Sequence, residues 1–185
     1  MLALGGLRFG EATALRRRDV GAGGTTVRVE RSVRYVNGAW LVGPPKSEAG
    51  RRTVALPGSV AAALVDHLEQ FVPDADEALV FGTASGNFLA GSNFGRTFRR
   101  AVTVCNVPPV RVHEPRHTGA SLAAATGAST AELMHRLGHA SPAAALIYQH
   151  ATTNRDTEIA RALDELTIGA NVVPIRPSRE RKQIG

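Results

Sequence analysis

The sequence predicts an α+β fold: a mainly helical domain with a small three-stranded antiparallel sheet near its amino terminus. Three observations lead there. Between residues 25 and 57 apolar and β-branched residues alternate with a period of two. From residue 58 onward the period becomes helical. Capping residues and prolines then mark where successive helices start.

Residues 8 to 17, RFGEATALRR, carry small and apolar residues at helical spacing and predict a short helix, with Asp19 beginning the exit turn. The strings TTVRVERSVRY (25 to 35), AWLVG (39 to 43) and RRTVALP (51 to 57) are the three strands, separated by the turn signals Asn37-Gly38 and PPKSEAG. Lys46 lies in the loop between the last two strands, where a long cation can project beyond the sheet edge. Helices follow at 59 to 71 and at 92 to 105, the second with Ser92 as its N-cap. The next helix begins near Pro115 and runs to about Thr126, because proline is favoured at a first helical position. Ser129 and Glu132 form a capping box for a helix over 130 to 137, and Ser141-Pro142 starts another over 142 to 150. A last helix over 153 to 167 places Ile159, Leu163 and Leu166 on one stripe, and the proline-containing basic tail from Gly169 reads as disordered.

Composition narrows the class. A chain of 185 residues with 43% hydrophobic and 21% charged residues is long enough for one domain with a sizeable core. A single cysteine, Cys105, excludes an internal disulfide, no stretch is apolar enough to span a membrane, and the opening MLALGG lacks the basic flank of a signal peptide. The expected location is cytoplasmic. The net charge of +6 and pI near 10.6 point toward a polyanionic partner. Arginine occurs 20 times and lysine only at Lys46 and Lys182, so Lys46 needs an explanation, even if it is only a surviving surface lysine.

Residues 113 to 117, HEPRH, first suggest H-E-x-x-H, a helical zinc site of a hydrolase, which would bind stoichiometric metal. Pro115 speaks against it. The residue before a proline, Glu114, is pushed out of the α region, so His113 falls just outside the helix and His117 just inside, and nothing obliges both imidazoles to meet one ion. A histidine followed by an arginine at a helix mouth also suits an anionic substrate.

Four strings stand out together: GLRFGE (6 to 11), PPKSEAGRR (44 to 52), HEPRH, and LGHASPAAALIYQH (137 to 150). Each alone has an ordinary explanation. Arg8 could be a solvated or ion-paired charge, His139 a C-terminal cap, and Tyr148 a half-buried core residue. Their order and spacing, however, resemble the catalytic domain of the tyrosine recombinases, the phage integrase family, over roughly residues 1 to 167. The matching positions are Arg8 with Glu11, Lys46, His113 with Arg116 and His117, His139, and Tyr148 nine residues after that histidine. Pro115 stands where the family usually has leucine.

The resemblance implies a site-specific enzyme that cleaves DNA through a 3′-phosphotyrosine and rejoins it, without cofactor or metal. Tyr148 would be the nucleophile, since a tyrosine hydroxyl can keep the phosphate as an ester. Arg8, Arg116 and His139 would cradle the charge that builds on the pentacoordinate phosphate. His113 would accept a proton or donate a second hydrogen bond, and Lys46 would protonate the leaving 5′ oxygen, which an arginine cannot do. Glu11 would hold a guanidinium or His113, and His117 would pack or bond locally. Arg96, Arg99 and Arg100 on one helix, and Arg16 to Arg18, could contact phosphates or simply form solvated faces.

The partners implied are double-stranded recombination sites, further copies of the chain as a tetramer on DNA, and an accessory directionality factor. No membrane is involved. The helix over 153 to 167 would dock on a neighbouring protomer or fold onto its own domain. Because Arg8 arrives so early, residues 1 to 168 are expected to be a catalytic domain without its amino-terminal core-binding domain and first helix, and 169 to 185 a basic flexible tail. Two other readings share these residues: a type IB topoisomerase-like enzyme that reseals its own strand, and a DNA-binding protein with a vestigial site, which would form no covalent adduct.

Overall fold

In the computed structural model the described residues are 1–149 and Arg161, so the expected helix over 153 to 167 and the basic tail lie outside them. Residues 1–149 fall within one compact unit. The elements run α1 (Phe9–Ala12), β1 (Thr26–Val29), β2 (Ser32–Val36), β3 (Ala39–Gly43), β4 (Arg52–Ala55), α2 (Gly58–Phe71), α3 (Gly91–Val104), α4 (Glu114–Ala125), α5 (Thr130–Leu137) and α6 (Pro142–Gln149). The α+β class holds, with the strands early and the helices after them.

The expected strand over 25 to 35 is divided. β1 pairs antiparallel with β4, Val27 opposite Val54 and Val29 opposite Arg52, whereas β2 pairs with β3 from Ser32–Gly43 to Val36–Ala39. Two two-stranded ladders thus replace one three-stranded sheet. The chain bends at Glu30 and Arg31 because Arg31 reaches back to the buried carboxylate of Asp19, Nη1 to Oδ2 at 2.5 Å. The β2–β3 turn is as expected: Asn37 and Gly38 have φ of 49° and 83°, the two positive values a type I′ turn requires. Tyr35 and Trp40 pack against each other across that ladder, tilted by 60°, with ring centroids 4.9 Å apart.

The first helix is shorter than the sequence predicts. It ends at Ala12, and after a turn at Thr13–Ala14, Leu15 C=O accepts from Val80 N–H at 2.9 Å and Arg17 N–H donates to Ala78 C=O at 2.9 Å. Long-range pairing outweighs the helical propensity of ALRR. The N-cap of α3 lies two residues early, at Ala90 and not Ser92, because Ala90 C=O already accepts from Phe94 N–H while Phe94 packs on Phe9. Similarly, α4 begins at Glu114, before the proline. The turn Arg111–Glu114 holds it there, with Glu114 N–H donating to Arg111 C=O and Arg111 N–H to Glu114 Oε2. Pro115 sits in the first turn, where no N–H is needed. The Ser129–Glu132 capping box of α5 forms as expected.

Two apolar clusters organise the unit. Leu7, Leu15, Val27, Val29, Val54, Leu64 and Val80 gather α1, the β1–β4 ladder and α2, while Ala120, Ala124, Leu133, Leu137, Ala145 and Tyr148 gather α4, α5 and α6. Their burial supplies the main driving force for the fold, roughly 1.5–3 kcal/mol for each large aliphatic side chain. The four motif strings meet between these clusters.

Candidate active site

Glu11 is the centre of the charge arrangement. Its carboxylate is buried, and it accepts from Arg8 Nη1 at 2.8 Å, from Arg8 N–H at 2.9 Å and from Arg52 Nη2 at 3.0 Å, with Arg116 Nη1 at 4.0 Å. One carboxylate therefore faces three guanidiniums. Burial alone would raise its pKa, but the hydrogen bond and charge of Arg52, with the bonds from Arg8, outweigh that and hold it below the usual carboxylate value.

Arg116 is buried at the start of α4. It donates to Gly6 C=O, to Leu137 C=O at 2.5 Å, and through Nη2 to His139 Nε2 at 3.3 Å. Burial, and then the neighbouring Arg8, lower its pKa to about 10, which leaves it a cation at neutral pH. Arg8 lies at the α1 N-terminus with its side chain 30% exposed and donates to Gly138 C=O at 3.2 Å, so of the three guanidiniums facing Glu11 it is the most open to a ligand. Two arginines and His139 thus converge from three separate strings.

His139 follows the left-handed Gly138 that ends α5. Burial first, then Arg116, Arg8, Arg52 and His117, push its pKa down to about 4. A neutral imidazole accepting at Nε2 carries its proton on Nδ1, and that buried atom has no hydrogen-bond partner among the described residues. An unpartnered donor beside two guanidiniums is suited to an oxyanion.

His113 at the N-cap of α4 and His117 one turn further on meet edge to face at 5.1 Å. Burial, then His117, Arg116 and Arg8, lower the pKa of His113. Tyr148 on α6 is nearly buried, and its hydroxyl lies 2.6 Å from His117 Nδ1. His117, expected only to bond locally, therefore touches the nucleophile candidate, while His113 does not.

Lys46 is exposed and makes no hydrogen bond or ion pair with the described residues. Its loop is nevertheless anchored to the site. A Cβ at Gly138 would lie 3.1 Å from Gly50 Cα and 3.2 Å from Ala49 O, so the turn Glu48–Gly50 packs directly against the L-G-H string. Arg52 completes the anchor by donating to Arg136 C=O at 2.8 Å and Gly50 C=O at 2.9 Å.

Sequence reasoning missed Arg52. The signal was present, since Arg52 shares the inward parity of Val54 and Leu56 in RRTVALP, and a charge in a core register needs a buried partner. The two candidate phosphate-binding sets also separate. Arg16, Arg17 and Arg18 pair with Glu77, Asp74 and Glu77 respectively, whereas Arg96, Arg99 and Arg100 are exposed on α3 without ion pairs among the described residues.

Residues 1–155 match the model of the phage integrase family. The "Putative prophage phiRv2 integrase" of Mycobacterium tuberculosis is 44% identical over 162 residues, covering 86% of this chain and 43% of that one. The integrase of Mycobacterium phage D29 is 39% identical over 170 residues, covering 90% and 46%. This chain thus spans less than half the length of either relative. The Tn1549 transposon integrase, solved in complex with circular intermediate DNA, superposes with a TM-score of 0.73 at 23% identity, over 87% of this chain and 57% of that one, which shows a shared fold. With the family match covering most of its length, the chain belongs to the phage integrase family, the tyrosine recombinases.

Proposed function

We propose that residues 1 to 168 form the catalytic domain of a site-specific DNA recombinase that acts on double-stranded DNA. Tyr148 attacks a scissile phosphate and forms a 3′-phosphotyrosine, Arg8, Arg116 and His139 stabilise the charge on the nonbridging oxygens, and Lys46 protonates the departing 5′ oxygen. A 5′-hydroxyl from another strand then reverses the step and completes the exchange. The observation that carries this reading is the convergence of Arg116 and His139 at 3.3 Å, with Arg8 on the adjacent Gly138 carbonyl and Tyr148 held by the residue next to Arg116.

His113, beside His117, offers a further donor to the phosphate, and Glu11 positions the guanidiniums. The exposed arginines of α3 contact the DNA backbone. The working assembly is a tetramer on paired sites in the cytoplasm, in which the chain beyond residue 152 reaches a neighbouring protomer, and an accessory factor sets direction. Support for a DNA partner comes from the relatives named integrase and from the fold shared with a DNA-bound transposon integrase.

The test is covalent capture. Nicked suicide duplexes incubated with the chain should leave a band that survives denaturation, and digestion should place the phosphate on the peptide containing Tyr148. Tyr148→Phe should abolish the band while DNA affinity stays within about a few fold, because only the attacking oxygen is removed. An adduct in that variant moves the nucleophile elsewhere, and Tyr35 is the other tyrosine.

A further inference from the structure

We infer that His117, through Nδ1, takes the proton of the Tyr148 hydroxyl as that oxygen attacks phosphorus, and returns it when tyrosine is expelled. This rests on the strand-cleavage reading above. It assigns to His117 the proton-accepting part that the resemblance offered to His113.

The geometry separates the two histidines. His117 Nδ1 stands 2.6 Å from the Tyr148 oxygen, within the range a general base needs, while His113 reaches only the edge of the His117 ring. His113 at the N-cap of α4 and His117 within that helix lie one turn apart, so the packing that brings α6 onto α4 decides which of them meets the tyrosine. That packing runs through Ala120, Ala124 and Ala145, whose small side chains let the helices approach beneath the pair. Tyr148 is itself part of this apolar cluster, so its hydroxyl has little access to bulk water as an alternative acceptor. His117 is exposed, which gives the transferred proton a way out.

The step balances. The Tyr148 O–H bond breaks, its proton goes to His117 Nδ1, and the oxygen electron pair forms the bond to phosphorus. The bond from phosphorus to the 5′ oxygen breaks, and that oxygen keeps the pair and takes a proton from Lys46. Attack by a 5′-hydroxyl runs the same transfers backward. Groups facing His117 among the described residues are His113 at the N-cap of its helix, Tyr148 on α6 and His139 after α5.

Two measurements test the assignment on the full chain. Nitrogen-15 NMR of the histidine side chains, without DNA, should find neutral His117 with its proton on Nε2 and Nδ1 as acceptor, and Tyr148→Phe should shift Nδ1. A neutral His117 protonated at Nδ1 donates to the phenol oxygen and overturns the inference. The second measurement is single-turnover adduct formation on a nicked duplex selected from a randomised pool by covalent capture with this chain. His117→Ala and His117→Gln should each slow it about 10²–10³-fold and remove the acid limb of its pH–rate profile, whereas His113→Ala should keep that limb. Exogenous imidazole should partly restore His117→Ala and leave His117→Gln slow, since glutamine fills the site without accepting a proton. If His117→Ala cleaves as fast as the parent or faster, the contact is a resting clamp and the inference falls while the cleavage reading stands. If no duplex is captured by the parent chain, the cleavage reading fails and takes the inference with it.

Discussion

Glu11 and Arg52 meet at 3.0 Å with both side chains sealed from water, 1% and 0% exposed. The pair links the start of α1 to the start of β4, and through Arg52 it also reaches the turn Glu48–Gly50 and the end of α5. A buried ion pair of this kind adds little net stability over an apolar replacement, but removing one partner strands the other. Its place in the structure is to hold three motif strings in register around the two exposed-side cations, Arg8 and Lys46.

Glu11→Gln should therefore cost about 3–5 kcal/mol at neutral pH, because Arg52 and Arg116 lose their buried counter-charge. Denaturant unfolding across pH checks the cause. The folded carboxyl titrates below its ordinary value of 4.5, so its contribution is fully present above that value and is lost as pH falls through the lower folded one. The gap between parent and variant should narrow below about pH 4.5. A gap that stays constant down to the acid transition would mean that Glu11 acts by shape and not by charge.

Gly138→Ala should be costly twice over. The position has φ of +62°, and an added Cβ would come 2.8 Å from Arg52 Nη1 as well as against the backbone of Ala49 and Gly50. The backbone conformation alone costs of order 1–3 kcal/mol, and the steric clash adds to it while displacing His139 and the lysine loop. Gly86→Ala is the control: its φ is +75°, yet nothing lies within 4 Å of the new atom. Urea midpoints should fall for both, further for Gly138→Ala, and adduct formation should fail only there.

Lys46→Ala should slow cleavage of ordinary DNA and be largely rescued when sulfur replaces the scissile 5′ bridging oxygen, since a thiolate leaves without a proton. Arg8→Ala and Arg116→Ala should not be rescued, because the proposed place of both guanidiniums is at the nonbridging oxygens. Single-turnover rates on the two substrates decide it. Rescue of the arginine variants with none for Lys46→Ala would reverse the assignment.

The α3 arginines are predicted to pair with phosphates, and salt dependence reads such pairing directly. Replacing Arg96, Arg99 and Arg100 by alanine should weaken binding to all duplexes alike and reduce the slope of log affinity against log salt by roughly 0.9 per phosphate no longer neutralised. Replacing Arg16 or Arg18 should leave that slope unchanged, as both are occupied by Glu77. An unchanged slope in the α3 variant would make that helix a solvated face.

What the sequence determined by itself is what depends on neighbours a few residues apart. The turn at Asn37-Gly38, the Ser129–Glu132 capping box and the proline start of α6 are set by local φ preferences and by hydrogen bonds spanning three or four residues, so they could be read before any fold was known. The order and spacing of the Arg8, Lys46, Arg116, His139 and Tyr148 strings were legible for the same reason. Tertiary structure decided the rest. It shortened α1 by drawing Leu15 and Arg17 into pairing with Val80 and Ala78, and it split the first strand by tying Arg31 to Asp19. It chose Arg52 as the partner of Glu11 across 41 residues, and His117 over His113 as the neighbour of the Tyr148 hydroxyl across 31. Those choices turn on where two apolar clusters bring separate helices and strands together, to within a fraction of an ångström. Spacing along the chain says which side chains are on offer, and packing alone decides which of them touch.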